Sequence, residues 1–149
     1  MMEPLYSTPP GGMRLFNAII ALLLIMAVVI AVGLLAFVSA LSAAITFASI
    51  ATFALIWLIL PRRYEVWPDH LRLVFPAWGW DLPYEGIATV RAGRWYEAYG
   101  FAGVRFAMAP SQTVTILRHN ANMLTHPNLV ISPEDREEFL RQMQRAMRR

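Results

Sequence analysis

The chain has 149 residues, 57% of them hydrophobic, and a formal net charge of +3 at pH 7, and it contains no cysteine. The absence of cysteine excludes disulfides, thiolate metal sites and cysteine nucleophiles. Five arginines balance five acids between Tyr64 and Ser132, so the excess positive charge lies at Arg62, Arg63 and the C-terminal end. A neutral body without a basic stripe argues against nucleic-acid binding.

The first thirteen residues are predicted to form an N-terminal arm. Residues 7–12 read STPPGG, and such a polar segment rich in proline and glycine has too little apolar surface to fold alone. We therefore expect residues 1–13 to be flexible or extended.

From Leu15 to Leu60 the chain has no charged side chain and no proline. A single straight helix of this length would measure roughly 70 Å, whereas about 20 apolar residues span the bilayer's hydrocarbon core. The run therefore predicts a helical hairpin anchor over residues 14–61, with spans at about 15–37 and 41–60 and a tight turn at 38–42. An uncleaved anchor is favoured over a cleaved signal peptide, because the first apolar stretch is longer than the apolar region of a signal peptide, which usually has about 7–15 residues.

Arginines flank the apolar run at both ends, and the predicted turn carries no charge. By the positive-inside rule this pattern predicts that both termini are cytoplasmic. Aromatic side chains and arginines near span ends favour the headgroup level of the bilayer. The predicted membrane-interface residues are Arg14, Trp57, Arg62, Arg63 and Trp67.

Small residues recur along both predicted spans, and small faces allow helix backbones to approach closely in lipid. Two uses remain open: packing of the hairpin against itself, or a face for other integral membrane subunits. The candidate helix-packing residues are Ala27, Ala31, Gly33, Ala40, Ala44, Ala48 and Thr52.

Beyond Arg63 the pattern changes to short strand-like segments separated by turns. The predicted strands are 64–67, 71–75, 82–85, 87–91, 104–108, 113–118 and 128–131, with Trp78-Gly79-Trp80 in or near a turn. A final amphipathic helix is predicted at 133–148, with Ser132 as N-cap and Pro133 at the first helical position. Residues 62–149 are therefore expected to form a small α+β domain.

Three local phrases in this order resemble the bacterial PH-like (pleckstrin-homology-like) domains of membrane-anchored proteins. They are RYEV with DHL at 63–71, LPYEGI at 82–87, and LVISPED with FL at 129–140. The resemblance implies a bent antiparallel sheet, or partly open barrel, capped by a C-terminal helix and preceded by a two-helix anchor. It does not imply phosphoinositide binding, because the first hairpin lacks the clustered basic residues of lipid-binding PH domains.

No pattern for catalysis, a cofactor or a metal is found. His70, His119 and His126 have no partner at ligand spacing, and phosphate-loop, nucleophile-elbow and H-E-x-x-H motifs are absent. The carboxylates Asp69, Asp81, Glu85 and Glu97 are scattered near turns and are interpreted as solubilising charges. The chain is therefore predicted not to be an enzyme.

A glycine-punctuated loop at 91–101 carries four aromatic residues. Some are expected in the core, while exposed Trp, Tyr and Arg side chains would mark a protein or membrane-interface contact. The candidate partner-contact residues are Trp78, Trp80, Arg94, Trp95, Tyr96, Tyr99 and Phe101.

These features together predict a non-catalytic interaction module anchored in the bacterial inner (cytoplasmic) membrane. The favoured version is an accessory, assembly or stabilising subunit of a larger membrane complex, in contact with lipids and other integral membrane subunits. The alternative is an independent membrane-surface protein, alone or as a homo-oligomer, that binds lipid or a soluble ligand. A membrane enzyme is the least favoured class.

Overall fold

A computed structural model describes residues 3–37, 40–100, 103–122 and 125–148. The chain divides into two compact units. The α+β unit consists of Met1–Met13 together with Pro61–Arg149, and the apolar unit is Arg14–Leu60. The apolar unit is thus inserted, in sequence, between two segments of the α+β unit.

The apolar segment is helical. Helix α1 covers Met13–Phe37 and helix α2 covers Ala40–Leu58, while residues 38 and 39 of the predicted turn lie outside the described ranges. Among the described residues, one helix, over Met13–Gly33, is long and apolar enough to span a membrane. The apolar part of α2, Ala44–Leu58, is shorter than the apolar part of α1.

The first sheet is antiparallel, in the order β1-β2-β3-β4. Its strands are β1 (Tyr6–Thr8), β2 (Arg63–Val66), β3 (His70–Val74) and β4 (Gly79–Pro83). Alternate side chains of β2 and β3, such as Tyr64, Val66 and Leu71, are buried, because successive strand residues point to opposite faces.

Two segments of this sheet differ from the sequence prediction. Residues 6–8, expected in a flexible or extended arm, form an edge strand on β2, because backbone pairing does not need the apolar alternation that this segment lacks. Gly79 and Trp80, expected in or near a turn, begin β4, which ends at Pro83 and not at residue 85.

The second sheet has the order β5-β7-β8-β6. Its strands are β5 (Ile87–Ala92), β6 (Val104–Phe106), β7 (Val114–Arg118) and β8 (Leu129–Ile131). The pairs β5–β7 and β7–β8 are antiparallel, whereas β6 pairs parallel with β8. Since β5 and β6 run in the same direction, the chain between them crosses back along the sheet, and it contains the short helix α3 (Glu97–Gly100).

The C-terminal helix α4 covers Arg136–Ala146 and begins three residues later than predicted. Its N-cap is Asp135, whose carboxylate accepts a 3.0 Å hydrogen bond from the Glu138 backbone N–H. The assignment of Ser132 as N-cap is therefore wrong. Pro133 forms an antiparallel bridge with Pro10, so the chain remains extended there and the helix starts after it.

Both sheets and α4 share one hydrophobic core. The buried rings of Tyr64 and Phe139 meet edge to face with their centroids 6.3 Å apart. Helix α4 adds Met143 and Ala146 to the same core. The described residues thus form an apolar helical segment and an α+β unit of bent, mainly antiparallel sheets with a C-terminal helix.

Candidate functional site

Residues 93–100, which we call the aromatic loop, follow directly after the last residue of β5. Ala92 at the end of β5 pairs with Val114, which pairs with Ile131 at the end of β8. The carbonyl of the next residue, Ser132, accepts a 2.6 Å hydrogen bond from the Gly11 amide. The aromatic loop therefore starts at the end of the α+β unit where the chain leads into α1.

Glu97 holds this loop against the sheet. Its carboxylate accepts hydrogen bonds from Arg91 Nη2 at 2.6 Å, Thr115 Oγ1 at 2.6 Å and the Arg94 backbone N–H at 2.9 Å. These bonds, with those from Arg91 foremost, lower the pKa of Glu97 to about 2. Glu97 is only 6% exposed, so its interpretation as a solubilising charge is wrong: it is a buried, paired anion.

Gly93 permits the close approach of the loop to β7. A Cβ atom at this position would lie 2.6 Å from Thr113 Cγ2 and 2.7 Å from Thr115 Oγ1. Both distances are shorter than van der Waals contact. The Gly93 amide also donates a 2.8 Å hydrogen bond to the Thr113 carbonyl, so the loop is fixed at its first residue.

The loop presents large aromatic side chains to solvent. Trp95 is 67% exposed, Tyr96 45% and Tyr99 66%. Arg94 donates a 2.9 Å hydrogen bond to the Tyr96 hydroxyl, and the exposed Arg105 of β6 donates to the Tyr99 carbonyl. We call Arg94, Trp95, Tyr96, Tyr99 and Arg105 the aromatic–arginine surface. Several exposed apolar side chains close together are typical of a contact site.

The other predicted partner-contact residues lie elsewhere. Trp78, between β3 and β4, is exposed but stacks on Phe75 with ring centroids 3.9 Å apart. Trp80 is half-buried and packs against the core. Phe101 lies outside the described residues. The structure therefore brings four of the seven candidates together: Arg94, Trp95, Tyr96 and Tyr99.

The chain leaves and re-enters the α+β unit at adjacent points. Arg62 Nη1 lies 3.5 Å from Met13 Sδ, and the Arg62 amide donates a 2.6 Å hydrogen bond to the Val74 carbonyl. Trp67 does not share this position: it follows β2 at its opposite end, about 13 Å along the strand from Arg63, where it stacks on His70.

The remaining interface candidates belong to the apolar unit. Arg14 is the second residue of α1. Trp57 of α2 donates a 3.3 Å hydrogen bond from Nε1 to Asn17 Oδ1 of α1, which links the two helices near the N-terminal end of α1 and the C-terminal end of α2.

The small-residue candidates of the helices differ in exposure. Ala31 is buried, and Ala27 and Gly33 are partly buried. Ala44, Ala48 and Thr52 are exposed, whereas the side chain of Ala40 lies outside the described part. The three candidates on α2 thus remain accessible at the surface of the apolar unit.

One cluster that the sequence pattern missed surrounds His70. Its Nδ1 lies 2.7 Å from Asp69 and its Nε2 lies 3.7 Å from Asp81, which strand pairing brings next to it. Within the described ranges, no group of three or more His, Cys, Asp or Glu side chains is placed to hold a metal ion.

No family model, no curated protein and no solved structure matches the chain. The functional interpretation therefore depends on the contacts described above.

Proposed function

We propose that the protein is a non-catalytic interaction module anchored by a two-span helical hairpin in the bacterial inner membrane. The observation that carries this proposal is the 3.5 Å contact between Met13 and Arg62. The apolar segment begins and ends at adjacent points of one folded unit, which supports a topology with both of its ends on the same side of the membrane. The length of the segment is compatible with two crossings of about 20 residues each.

The arginine distribution orients the hairpin. Arg14, Arg62 and Arg63 flank the apolar segment, which favours a cytoplasmic position for both of its ends. The α+β unit would then lie at the cytoplasmic surface. We propose that it is a PH-like domain, which is supported by two sheets and the C-terminal helix around one core.

Within this class, we favour an accessory, assembly or stabilising subunit of a larger membrane complex. The exposed Ala44, Ala48 and Thr52 of α2 support this version, because small residues allow another transmembrane helix to approach closely. An independent protein that binds lipid or a soluble ligand is the second candidate, and the aromatic–arginine surface is the observation that favours it.

The absence of native cysteine allows the hairpin to be tested by single-cysteine labelling. Ser7→Cys and Arg148→Cys report the two segments of the α+β unit, and Leu41→Cys reports the start of α2; all three positions are exposed. A membrane-impermeant maleimide is expected to label positions 7 and 148 from the cytoplasmic side and position 41 from the opposite side. Labelling of all three from one side would contradict the two-span hairpin.

The subunit version is tested by purification from native membranes in mild detergent, followed by native mass spectrometry. A stoichiometric complex with other membrane proteins is expected. A lone species at the chain's own mass of 16.9 kDa, or a homo-oligomer, would contradict the subunit version and favour the second candidate.

A further inference from the structure

The aromatic–arginine surface combines side chains suited to a lipid headgroup region. Trp95, Tyr96 and Tyr99 each join an apolar ring to a polar hydrogen-bonding group. Tryptophan and tyrosine are enriched where a membrane protein crosses the boundary between hydrocarbon and water. Trp95 and Tyr96 pack edge to face with ring centroids 6.1 Å apart, yet much of the surface of all three side chains remains exposed.

The charge of this surface is positive. Arg94 and Arg105 are exposed, whereas Glu97, the acidic residue of the loop, is buried and paired with Arg91. Arginines close to an anionic membrane surface are attracted to its headgroups. The surface is therefore complementary to anionic headgroups, and no exposed carboxylate of the loop opposes that contact.

The aromatic loop starts close to the point where the chain leads into α1. It starts at the sheet end that binds Gly11 through Ser132, and α1 begins two residues later at Met13. Two residues of extended chain span only about 7 Å. The strand that delivers the loop, β5, is separated from β8 by β7 alone, a lateral distance of about 10 Å.

The loop is also preorganised. Glu97 and Gly93 fix it to β7 through the contacts to Thr115 and Thr113. A surface held in one conformation avoids much of the ordering cost that a flexible loop pays on binding.

We propose that the aromatic–arginine surface rests on the anionic phospholipid headgroups of the membrane that holds the apolar helices. This inference depends on the membrane anchor of the proposed function, and it assigns the surface to lipid and leaves contacts with protein subunits to the helices. The contact would fix the orientation of the α+β unit relative to the bilayer.

Spin labels on single cysteines of the full chain, reconstituted in vesicles, test the inference. Tyr99→Cys retains Trp95 and Tyr96 and reports the surface; Ala121→Cys is an exposed control beyond the opposite end of β7, and Val29→Cys reports α1. The readout is the collision rate of each label with a water-soluble nickel complex, in vesicles of phosphatidylcholine with and without phosphatidylglycerol.

We expect the label at position 99 to be protected from nickel relative to position 121 in vesicles that contain phosphatidylglycerol. The double substitution Arg94→Gln/Arg105→Gln should remove this protection, whereas Arg141→Gln/Arg145→Gln, with the same change of net charge on α4, should retain it. High salt should also weaken the protection, because salt screens exposed charges.

Equal nickel collision at positions 99 and 121, with position 29 protected, would overturn the inference and leave the membrane anchor intact. Equal protection of position 99 in neutral and anionic vesicles would overturn the assignment to anionic lipid. Protection of position 99 in native membranes alone would assign the surface to a protein partner instead. Nickel access to position 29 would contradict the anchor itself, so the two failures are distinguishable.

Discussion

The hydroxyl of Thr115 donates a 2.6 Å hydrogen bond to the carboxylate of Glu97, and both side chains are buried. Thr115 lies on β7, and Glu97 lies at the start of the short helix in the crossover loop. This bond joins the exposed aromatic residues to the sheet. The arrangement of the exposed aromatic residues therefore depends on a carboxylate that is itself buried.

Replacement of Glu97 by glutamine is expected to destabilise the α+β unit. The amide keeps the size of the side chain but loses the charge that pairs with Arg91, and hydrogen bonds to charged groups are the stronger ones. We expect the free energy of unfolding to fall by about 1–2 kcal/mol, measured by urea titration of the full chain in detergent.

A matched control is Glu138→Gln on α4. Glu138 also pairs with an arginine, Arg141, at 2.6 Å, but the Arg141 side chain is well exposed. Solvent-exposed ion pairs contribute little to stability, so a smaller loss is expected than for Glu97→Gln. An equal or larger loss for Glu138→Gln would contradict the structural role assigned to Glu97.

The stability contributed by Glu97 should depend on pH in a defined direction. Its pKa is about 2 in the folded chain, against 4.5 for an unperturbed glutamate. Between these values the unfolded chain binds more protons, so stability rises with pH. The contribution is complete above about pH 4.5 and is lost as the pH falls towards about 2.

Urea titrations of wild type and Glu97→Gln at a series of pH values measure this dependence. The difference in unfolding free energy between the two proteins should be largest near neutral pH and should shrink in acid. A difference that stays constant from neutral pH to about pH 3 would contradict a depressed pKa for Glu97.

Gly93→Ala is expected to displace the aromatic loop. The added methyl group would meet Thr113 and Thr115 at distances below 3 Å, and overpacking of this kind costs about 1–3 kcal/mol. Gly86→Ala is the control, because its nearest neighbour is the flexible end of Arg118 at 3.3 Å. Limited proteolysis should cut the loop faster in Gly93→Ala, and similar cutting of both variants would contradict the close packing at Gly93.

The roles of Ser132 and Asp135 are separable by alanine substitution. The Ser132 hydroxyl accepts hydrogen bonds from the backbone N–H groups of Met108 and Ala109, at 2.9 and 3.2 Å. Loss of that acceptor should cost about 1–3 kcal/mol of unfolding free energy. Loss of the N-cap in Asp135→Ala should cost about 1 kcal/mol.

Amide hydrogen exchange distinguishes the two substitutions. Asp135→Ala should speed exchange at the Glu138 amide, because this amide donates its hydrogen bond to the Asp135 carboxylate. Ser132→Ala should speed exchange at Met108 and Ala109 and leave Glu138 unchanged. Faster exchange at Glu138 in Ser132→Ala would contradict the assignment of Asp135 as the N-cap and would indicate that Ser132 caps the helix.

Local patterns were sufficient for most of the strands. The predicted strands 64–67, 71–75 and 113–118 overlap β2, β3 and β7 of the structure. Burial alternates along β2 and β3, as expected when one face of a strand packs on the core, whereas Val114, Thr115 and Ile116 of β7 are all buried. The start of α4 was missed although Asp135 and Glu138 have capping-box spacing. Ser132 offered a competing cap three residues earlier, and the bridge between Pro133 and Pro10 decides between them.

Sequence alone was enough to identify the long uncharged run, its arginine flanks, the lack of cysteine and an α+β region with a final helix. These follow from composition and short-range periodicity. The three-dimensional structure was needed to show that residues 6–8 join the first sheet, that β6 pairs parallel with β8, that Glu97 is buried and that Met13 contacts Arg62. Each of these features depends on contacts between residues distant in sequence. Such contacts produce no periodic pattern along the chain, because the way the sheets pack decides which residues meet.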